Sequence, residues 1–198
     1  MSRIGVFLDR DGTINHEIDF VRSPDDLRLL EGAAAAISEL NKCGCCVFVI
    51  TNQSGIARGF LTEEQLETIH HKLLAELKSQ NAVIDAIYYC PHHPEYGEPP
   101  YRAMCDCRKP NIGMINRAVK EFNIDVTQSF VVGDRMLDMQ TGNTAGAQSI
   151  LVLTGYGKEE LQYCRNERVH IDYVAENLRD AVMHIKHMIH CESHTFSK

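Results

Sequence analysis

The sequence has no tryptophan, no excess of positive charge and no long apolar run. Its formal net charge of -7 argues against non-specific binding to nucleic acid or anionic lipid. A nucleic-acid enzyme would also need a basic track with stacking aromatic side chains. Because no apolar run reaches the roughly 18 residues that a membrane span requires, and no signal peptide follows Met1, we expect a cytoplasmic protein without membrane or nucleic-acid partners.

The eight cysteines do not form the pattern of a disulfide framework. Three of them crowd the apolar segment 43–46, and three flank the proline-containing stretch 90–110. Without a secretion signal, thiols or metal ligands are the better interpretation, in a reducing compartment. The cysteines that we interpret as core or incidental are Cys43, Cys45, Cys46, Cys164 and Cys191.

Apolar runs alternate with helical patterns along the 198 residues, a length that supports one core but not two large domains. Strands are predicted at 4–8, 45–50, 86–89, 129–132 and 149–153, and helices at 32–42, from the capping box at 62–65 onwards, and at 111–122, 138–145 and 177–189. Strands that are apolar throughout indicate a parallel sheet covered on both faces. We therefore predict an α/β fold with a single Rossmann-like, doubly wound sheet in one domain, residues 1–190, and a flexible tail at 191–198.

Two carboxylates follow the first predicted strand. Asp9 and Asp11 are two residues apart in an extended segment, so their side chains can face one site, and Gly12 permits a sharp turn after them. Carboxylate oxygens suit Mg²⁺, and a carboxylate can also attack phosphorus while a second one transfers protons. A solvated turn is the ordinary explanation of an isolated Asp-x-Asp, so the accompanying segments decide the interpretation.

Three further polar segments stand at equivalent places. The segment 51–55 follows the second strand and offers a hydroxyl and turn N–H groups for phosphate oxygens. Lys109 could neutralise a phosphoryl group, Arg108 provides a planar fork, and Asp134 follows the fourth strand as an oxygen ligand. Each has an ordinary explanation alone, but together they lie at the edge where open α/β sheets bind ligands.

A second constellation flanks the proline-containing loop. Cys90, His92, Cys105 and Cys107 form a Cys₃His set, which suffices for a tetrahedral structural Zn²⁺, with His93 as the competing histidine. Free cysteines beside a surface histidine are the alternative. A closed set of four ligands leaves no open position for catalysis, so a zinc ion here would staple the loop.

The order of the polar segments resembles the haloacid dehalogenase superfamily, whose motifs are an Asp-x-Asp, a Thr or Ser, a Lys and a late acidic pair. The resemblance implies that Asp9 is the nucleophile and Asp11 the general acid and base. It implies that Thr51 and Lys109 orient and neutralise the phosphoryl group. Mg²⁺ would be held by Asp9, Asp134 and the backbone carbonyl of Asp11. Because the predicted helix and strand already fill much of the short segment between Asp9 and Thr51, we expect no large cap domain there.

A narrower resemblance, from about Ile4 to Gly157, is to the heptose bisphosphate phosphatases. It rests on the segments 7–13, 51–59, 88–94 and 105–110, and it favours His92 over His93 as the zinc ligand. It implies removal of the 7-phosphate of D-glycero-D-manno-heptose 1,7-bisphosphate, in the synthesis of nucleotide-activated heptose for lipopolysaccharide or other surface glycans. The residues expected to contact the substrate are Arg10, Glu17, Ile18, Asp19, Phe20, Asn52, Gln53, Ser54, Arg108 and Arg135, the last standing where the heptose enzymes often have lysine.

Alternatives remain open at this point. Histidinol-phosphate phosphatases share the acidic motifs and the zinc cysteines, although their zinc loop is typically shorter, so histidinol phosphate or another small phosphomonoester is the main rival substrate. A zinc-stapled binding module without catalysis is a further alternative. Substrate discrimination is expected from the loops 15–25 and 90–107, in a monomer. The C-terminal histidines, which we interpret as a polar helix face rather than a metal site, are His184, His187, His190 and His194.

Overall fold

The computed structural model describes residues 2–195, with side chains for residues 2–189. Six parallel strands form one sheet: β1 (Gly5–Leu8), β2 (Cys46–Asn52), β3 (Ala86–Cys90), β4 (Phe130–Gly133), β5 (Gln148–Val152) and β6 (Tyr173–Ala175). Their spatial order is β3-β2-β1-β4-β5-β6. The chain therefore builds outwards from β1 through β2 and β3, then returns to the other side of β1, which makes the gap between β1 and β4 the switch point of the sheet.

Six α-helices cover the sheet: α1 (Ala33–Lys42), α2 (Glu63–Ser79), α3 (Gly113–Phe122), α4 (Met136–Ala145), α5 (Gly157–Asn166) and α6 (Leu178–Thr195). Helices α1, α2 and α6 bury their apolar side chains on one face, and α3, α4 and α5 on the other. Val6 and Leu8 of β1 pack on the first face, and Phe7 packs on the second, stacked 5.1 Å from the Phe48 ring. The predicted doubly wound α/β sheet is confirmed.

Local signals in the sequence place several helix ends. Thr62 Oγ1 accepts a hydrogen bond from the Gln65 N–H (3.1 Å), and Gln65 Oε1 accepts one from the Thr62 N–H (2.8 Å), which is the predicted capping box. Gly44 follows α1 with a φ of 77°, a left-handed conformation that glycine adopts without steric cost. Between Asp9 and Thr51 the chain forms only a loop with the 3₁₀ turn Pro24–Asp26, then α1 and most of β2, so no cap domain is inserted there.

The C-terminal third differs from the prediction. The helix α5 and the strand β6 were not predicted, because α5 buries only Gly157 and Cys164 and β6 has three residues. The last helix is also longer than predicted, since it ends at Thr195. The side chains of His190, Cys191 and His194 and residues 196–198 of the predicted tail lie outside the described residues, whereas residues 191–195 of that tail continue α6. Within 2–195, no helix has both the length and the apolar character needed to cross a bilayer.

Candidate active site

The switch point of the sheet brings three acidic side chains around one lysine. Asp9 follows β1, with its N–H hydrogen-bonded to the Val132 carbonyl (2.9 Å), and Asp134 follows β4. Lys109, which precedes α3, donates from Nζ to Asp9 Oδ1 (2.8 Å) and to Asp138 Oδ1 (2.5 Å). The predicted nucleophile and the predicted phosphoryl-binding lysine are therefore in direct contact at the carboxyl edge of the sheet.

The cluster carries more negative than positive charge. One oxygen from each of Asp9, Asp134 and Asp138 lies within 4.8 Å of the others, and all three residues are buried. Burial raises the pKa of Asp9 to about 6, against the opposing charge of Lys109. Burial raises the pKa of Asp134 to about 8, and the charges of Asp9 and Asp138 add to the rise. Burial lowers the pKa of Lys109, but Asp138 and Asp9 outweigh it and raise that pKa, so the ammonium stays charged.

The donor chemistry of this cluster fits a hard cation. Asp134 Oδ2 accepts from the Tyr156 N–H (2.8 Å), whereas Asp134 Oδ1 is buried and has no hydrogen-bond partner among the described residues. Buried polar atoms are nearly always satisfied, so a free carboxylate oxygen beside other carboxylates is expected where a cation binds. Carboxylate oxygens are the ligands that Mg²⁺ prefers. This carboxylate cluster, defined as Asp9, Asp134 and Asp138, could hold a metal ion.

Asp11 lies beside the cluster but is held by other partners. Its carboxylate accepts from Arg10 Nη2 (2.8 Å), Asn15 Nδ2 (2.9 Å) and Gln53 Nε2 (2.9 Å). Burial raises the pKa of Asp11, but the Arg10 charge and these hydrogen bonds outweigh it, and the net pKa is lowered. Arg10, predicted as a substrate contact, is wholly buried and does not line the cleft, so the structure places it behind Asp11.

A cleft of about 250 Å³ opens above Asp9. Thr51 lines it, with its Oγ1 accepting from Gln53 Nε2 (2.9 Å). Asn52 fixes the lysine segment, because its side chain donates to the Lys109 carbonyl (3.1 Å) and accepts from the Lys109 N–H (3.0 Å). Ile18, by contrast, is 46% exposed and lines a separate depression. The predicted substrate residues that do line the cleft are Glu17, Asp19, Phe20, Asn52, Gln53, Ser54, Arg108 and Arg135.

The rim of the cleft is a polar network between two loops. Arg135 Nη2 lies 3.6 Å from Glu17 Oε2, and the guanidinium stacks 4.1 Å from the centre of the Tyr156 ring. The Tyr156 hydroxyl donates to Asp19 Oδ1 (2.8 Å). Because these groups are partly exposed, each contact of the rim contributes little to stability.

The sequence prediction assigns no role to two residues of this site, although it places Asp138 in the late acidic segment after Asp134. Asp138 stands one helical turn after Asp134, in the first turn of α4, so its carboxylate reaches the same site. Tyr156 follows β5 and therefore emerges at the same edge of the sheet as the other motifs. The available signals were this turn spacing for Asp138 and the strand-end position for Tyr156.

The four predicted zinc ligands also come together. Cys105 Sγ lies 3.5 Å from Cys90 Sγ and 3.4 Å from Cys107 Sγ, and His92 Nδ1 lies 3.7 Å from Cys90 Sγ and 3.5 Å from Cys107 Sγ. A tetrahedral zinc site has edges of about 3.8 Å between sulfurs. His93 is used differently, since its Nδ1 accepts the N–H groups of two following residues. The cysteine cluster, defined as Cys90, His92, Cys105 and Cys107, could hold a metal ion.

Comparisons with known proteins find related phosphatases. The HAD-hydrolase-like family model matches residues 106–181. The chain is 43% identical over 157 residues to the D-glycero-beta-D-manno-heptose-1,7-bisphosphate 7-phosphatase of Haemophilus ducreyi, covering 78% of this chain and 86% of the relative. It is 38% identical over 183 residues to the D-glycero-D-manno-heptose-1,7-bisphosphate 7-phosphatase of Chlorobaculum tepidum, covering 89% and 91%.

A solved structure is similar over nearly the whole chain. It is the crystal structure of D,D-heptose 1,7-bisphosphate phosphatase from B. bronchiseptica, complexed with magnesium and phosphate. The similarity has a TM-score of 0.82 at 34% sequence identity, and it covers 93% of this chain and 98% of that chain.

Proposed function

The chain belongs to the haloacid dehalogenase superfamily of phosphatases, with the heptose 1,7-bisphosphate 7-phosphatases as its relatives, and on this premise we propose that it removes the 7-phosphate of D-glycero-D-manno-heptose 1,7-bisphosphate. The observation that carries the proposal is the contact of Asp9 with Lys109 at the floor of a cleft edged by Arg108 and Arg135. A nucleophile beside a phosphoryl-binding cation, with two guanidinium groups further out, suits a substrate that carries phosphate at both ends.

The first chemical step transfers the phosphoryl group to Asp9. An Asp9 carboxylate oxygen attacks phosphorus, the bond from phosphorus to the sugar oxygen breaks, and that oxygen takes the electron pair. Asp11 supplies its proton. Lys109 and the Thr51 hydroxyl contact the phosphoryl oxygens, where negative charge accumulates.

The second step returns the enzyme to its starting state. Asp11, now a carboxylate, takes a proton from water, and the water oxygen attacks the phospho-aspartate at phosphorus. The bond from phosphorus to Asp9 breaks, inorganic phosphate leaves, and the Asp9 carboxylate is restored. The lowered pKa of Asp11 keeps its carboxylate ionised, which is the form that takes up a proton in this step.

Two metals complete the proposal. Mg²⁺ would be held by Asp9, Asp134 and the backbone carbonyl of Asp11, beside Asp138, and when bound it neutralises charge on the phosphoryl oxygens. Zn²⁺ would be held by the cysteine cluster and would fix the loop that carries Arg108. The hydrogen bond from Arg108 Nη1 to the His92 carbonyl (3.1 Å) supports this link.

We further propose one phosphatase domain over residues 1–190 that acts in the cytoplasm as a monomer on a phosphorylated sugar, without nucleic-acid or membrane partners. The single sheet and the net charge of -7 support this proposal.

The test is phosphate release with Mg²⁺ from both anomers of heptose 1,7-bisphosphate and from histidinol phosphate, for wild type and Asp9→Asn. Strong preference for one heptose bisphosphate, lost in the variant, is the expected result. Preference for histidinol phosphate would keep the mechanism and overturn the substrate. Turnover that survives in Asp9→Asn, with deamidation excluded, would overturn the nucleophile.

A further inference from the structure

A buried chain of contacts runs from helix α2 to the carboxylate of Asp11. Arg10 has no exposed surface and is among the largest fully buried side chains of the molecule. Its guanidinium lies against Asp11 through Nε (3.2 Å to Oδ1) and Nη2 (2.9 Å to Oδ1 and 2.8 Å to Oδ2). On its other side, Arg10 Nη1 lies 3.3 Å from His70 Nε2.

The contact defines the state of the histidine. Arginine only donates hydrogen bonds, so His70 Nε2 must accept, which requires a neutral imidazole with its proton on Nδ1. His70 is 7% exposed on the inner face of α2, and burial together with the Arg10 charge lowers its pKa to about 3. A buried guanidinium is costly unless its N–H groups are paired, and His70 pairs the edge that Asp11 leaves free.

We propose that His70 is a positioning residue that acts through Arg10 to hold Asp11 at the angle needed for proton donation to the leaving oxygen. The inference rests on the acid role proposed for Asp11. His70 contacts neither the cleft nor the carboxylate cluster, whereas the Asp11 side chain keeps 19% exposure on the cleft side. Without His70 as acceptor, Arg10 Nη1 would be buried and unpaired, so the guanidinium is expected to rotate towards another acceptor. The Asp11 carboxylate, which is hydrogen-bonded to it, would rotate as well.

The dependence of the rate on the leaving group distinguishes this positioning role from a purely structural one. When the bond from phosphorus to a sugar oxygen breaks, the alkoxide needs the Asp11 proton. When p-nitrophenyl phosphate reacts, the nitrophenolate leaves with the electron pair and needs no proton. Formation of the phospho-aspartate from the two substrates therefore separates the proton-donating role of Asp11 from the nucleophilic role of Asp9.

The experiment compares single-turnover rates of phospho-aspartate formation from heptose 1,7-bisphosphate and from p-nitrophenyl phosphate. The ratio of the two rates does not depend on the folded fraction of the sample. His70→Leu removes the acceptor and is expected to lower the ratio about tenfold, a part of the full effect of general acid catalysis. His70→Gln, whose amide oxygen can accept from Arg10, is expected to restore the ratio to within about threefold of wild type. His71→Leu, at the exposed neighbouring histidine, is the matched control and should leave the ratio unchanged.

An unchanged ratio in His70→Leu, or an equal loss with both substrates, would overturn the inference while leaving the proposed function intact. Failure of His70→Gln to restore the ratio would also overturn it, because the acceptor would then not be what matters. Wild-type protein that forms no phospho-aspartate from either substrate would overturn the proposed function and this inference with it.

Discussion

The carboxylate cluster and the cysteine cluster are built from opposite chemistry. The first offers hard oxygen donors, lies at the sheet edge and reaches the cleft through Asp9 and Asp138. The second offers three sulfurs and one ring nitrogen, and none of its members lines the cleft. A single residue, Arg108, separates Cys107 of the cysteine cluster from Lys109, which contacts Asp9 and Asp138 of the carboxylate cluster, so Arg108 links the two sites.

The two clusters also differ in their charge, and therefore in their effect on stability, when no metal is bound. Burial raises the pKa values of Cys90 and Cys107, so their thiols stay protonated and neutral at neutral pH. The carboxylate cluster has three buried acids and contacts one lysine. Repulsion among its carboxylates therefore increases as the pH rises and they ionise. The thiols of Cys90 and Cys107 are therefore neutral until a metal displaces their protons, whereas the carboxylate cluster carries charge before any metal binds.

The largest expected effect follows from Asp9→Asn. An amide cannot attack phosphorus, so we expect kcat/KM to fall by at least about 10³-fold in a phosphate-release assay. Because the change removes one acid from an overcharged cluster, the unfolding temperature in magnesium-free buffer should be equal to or higher than that of wild type. A fall in that temperature would mean that the Lys109 contact outweighs the repulsion among the carboxylates.

A substitution in the cysteine cluster should lower metal content and stability more than activity, the opposite of the effect expected for Asp9→Asn. Cys105→Ser removes one of the four proposed zinc ligands. We expect zinc affinity to fall by more than about 100-fold, since even residues that only hydrogen-bond to metal ligands change affinity by roughly 10–100-fold. Metal content by mass spectrometry and the unfolding temperature should both fall, with a smaller loss of activity than in Asp9→Asn. Cys43→Ser, at a half-buried cysteine outside the cluster, is the control. Full zinc content in Cys105→Ser would contradict the assignment.

The pH dependence of metal-free protein separates the clusters further. The folded-state pKa values of Asp9 (about 6) and Asp134 (about 8) lie above the ordinary value of 3.8. A raised carboxyl pKa contributes stability at low pH that is lost as the pH rises through the folded value. We therefore expect the unfolding temperature in magnesium-free buffer to fall from about pH 4, where these carboxyls ionise in the unfolded chain, with a smaller slope above about pH 6 and a plateau above about pH 8. Asp134→Asn should flatten the upper part of the curve, and saturating Mg²⁺ should oppose the fall, because it stabilises the ionised carboxylates. A curve that rises over this range would contradict the charge argument.

The sequence predicts the residues that end strands better than it predicts the direction of buried side chains. Apolar strands that end at Asp9, Thr51 and Asp134 reveal the shared edge of the sheet, because parallel strands deliver their carboxyl ends to one place. Nothing local could show that Arg10 turns inwards, since its partner His70 lies on α2, 60 residues away. The inside or outside direction of a long side chain is decided by what packs behind it, and that depends on tertiary structure. For the same reason the short β6 was missed: its neighbour β5, rather than its own composition, makes it a strand.

The smallest expected effect concerns Arg108, which joins the clusters. Lysine at this position keeps the charge but loses the planar fork that can hold the His92 carbonyl with one nitrogen and face the cleft with the others. We expect Arg108→Lys to raise KM for heptose 1,7-bisphosphate about fivefold, roughly 1 kcal/mol, the usual worth of one hydrogen bond. The kcat value and the turnover of p-nitrophenyl phosphate, which has no second phosphate, should stay within about twofold. A matching loss on both substrates would mean that Arg108 positions Lys109 rather than the far end of the substrate, and the cysteine cluster would then support the chemistry itself.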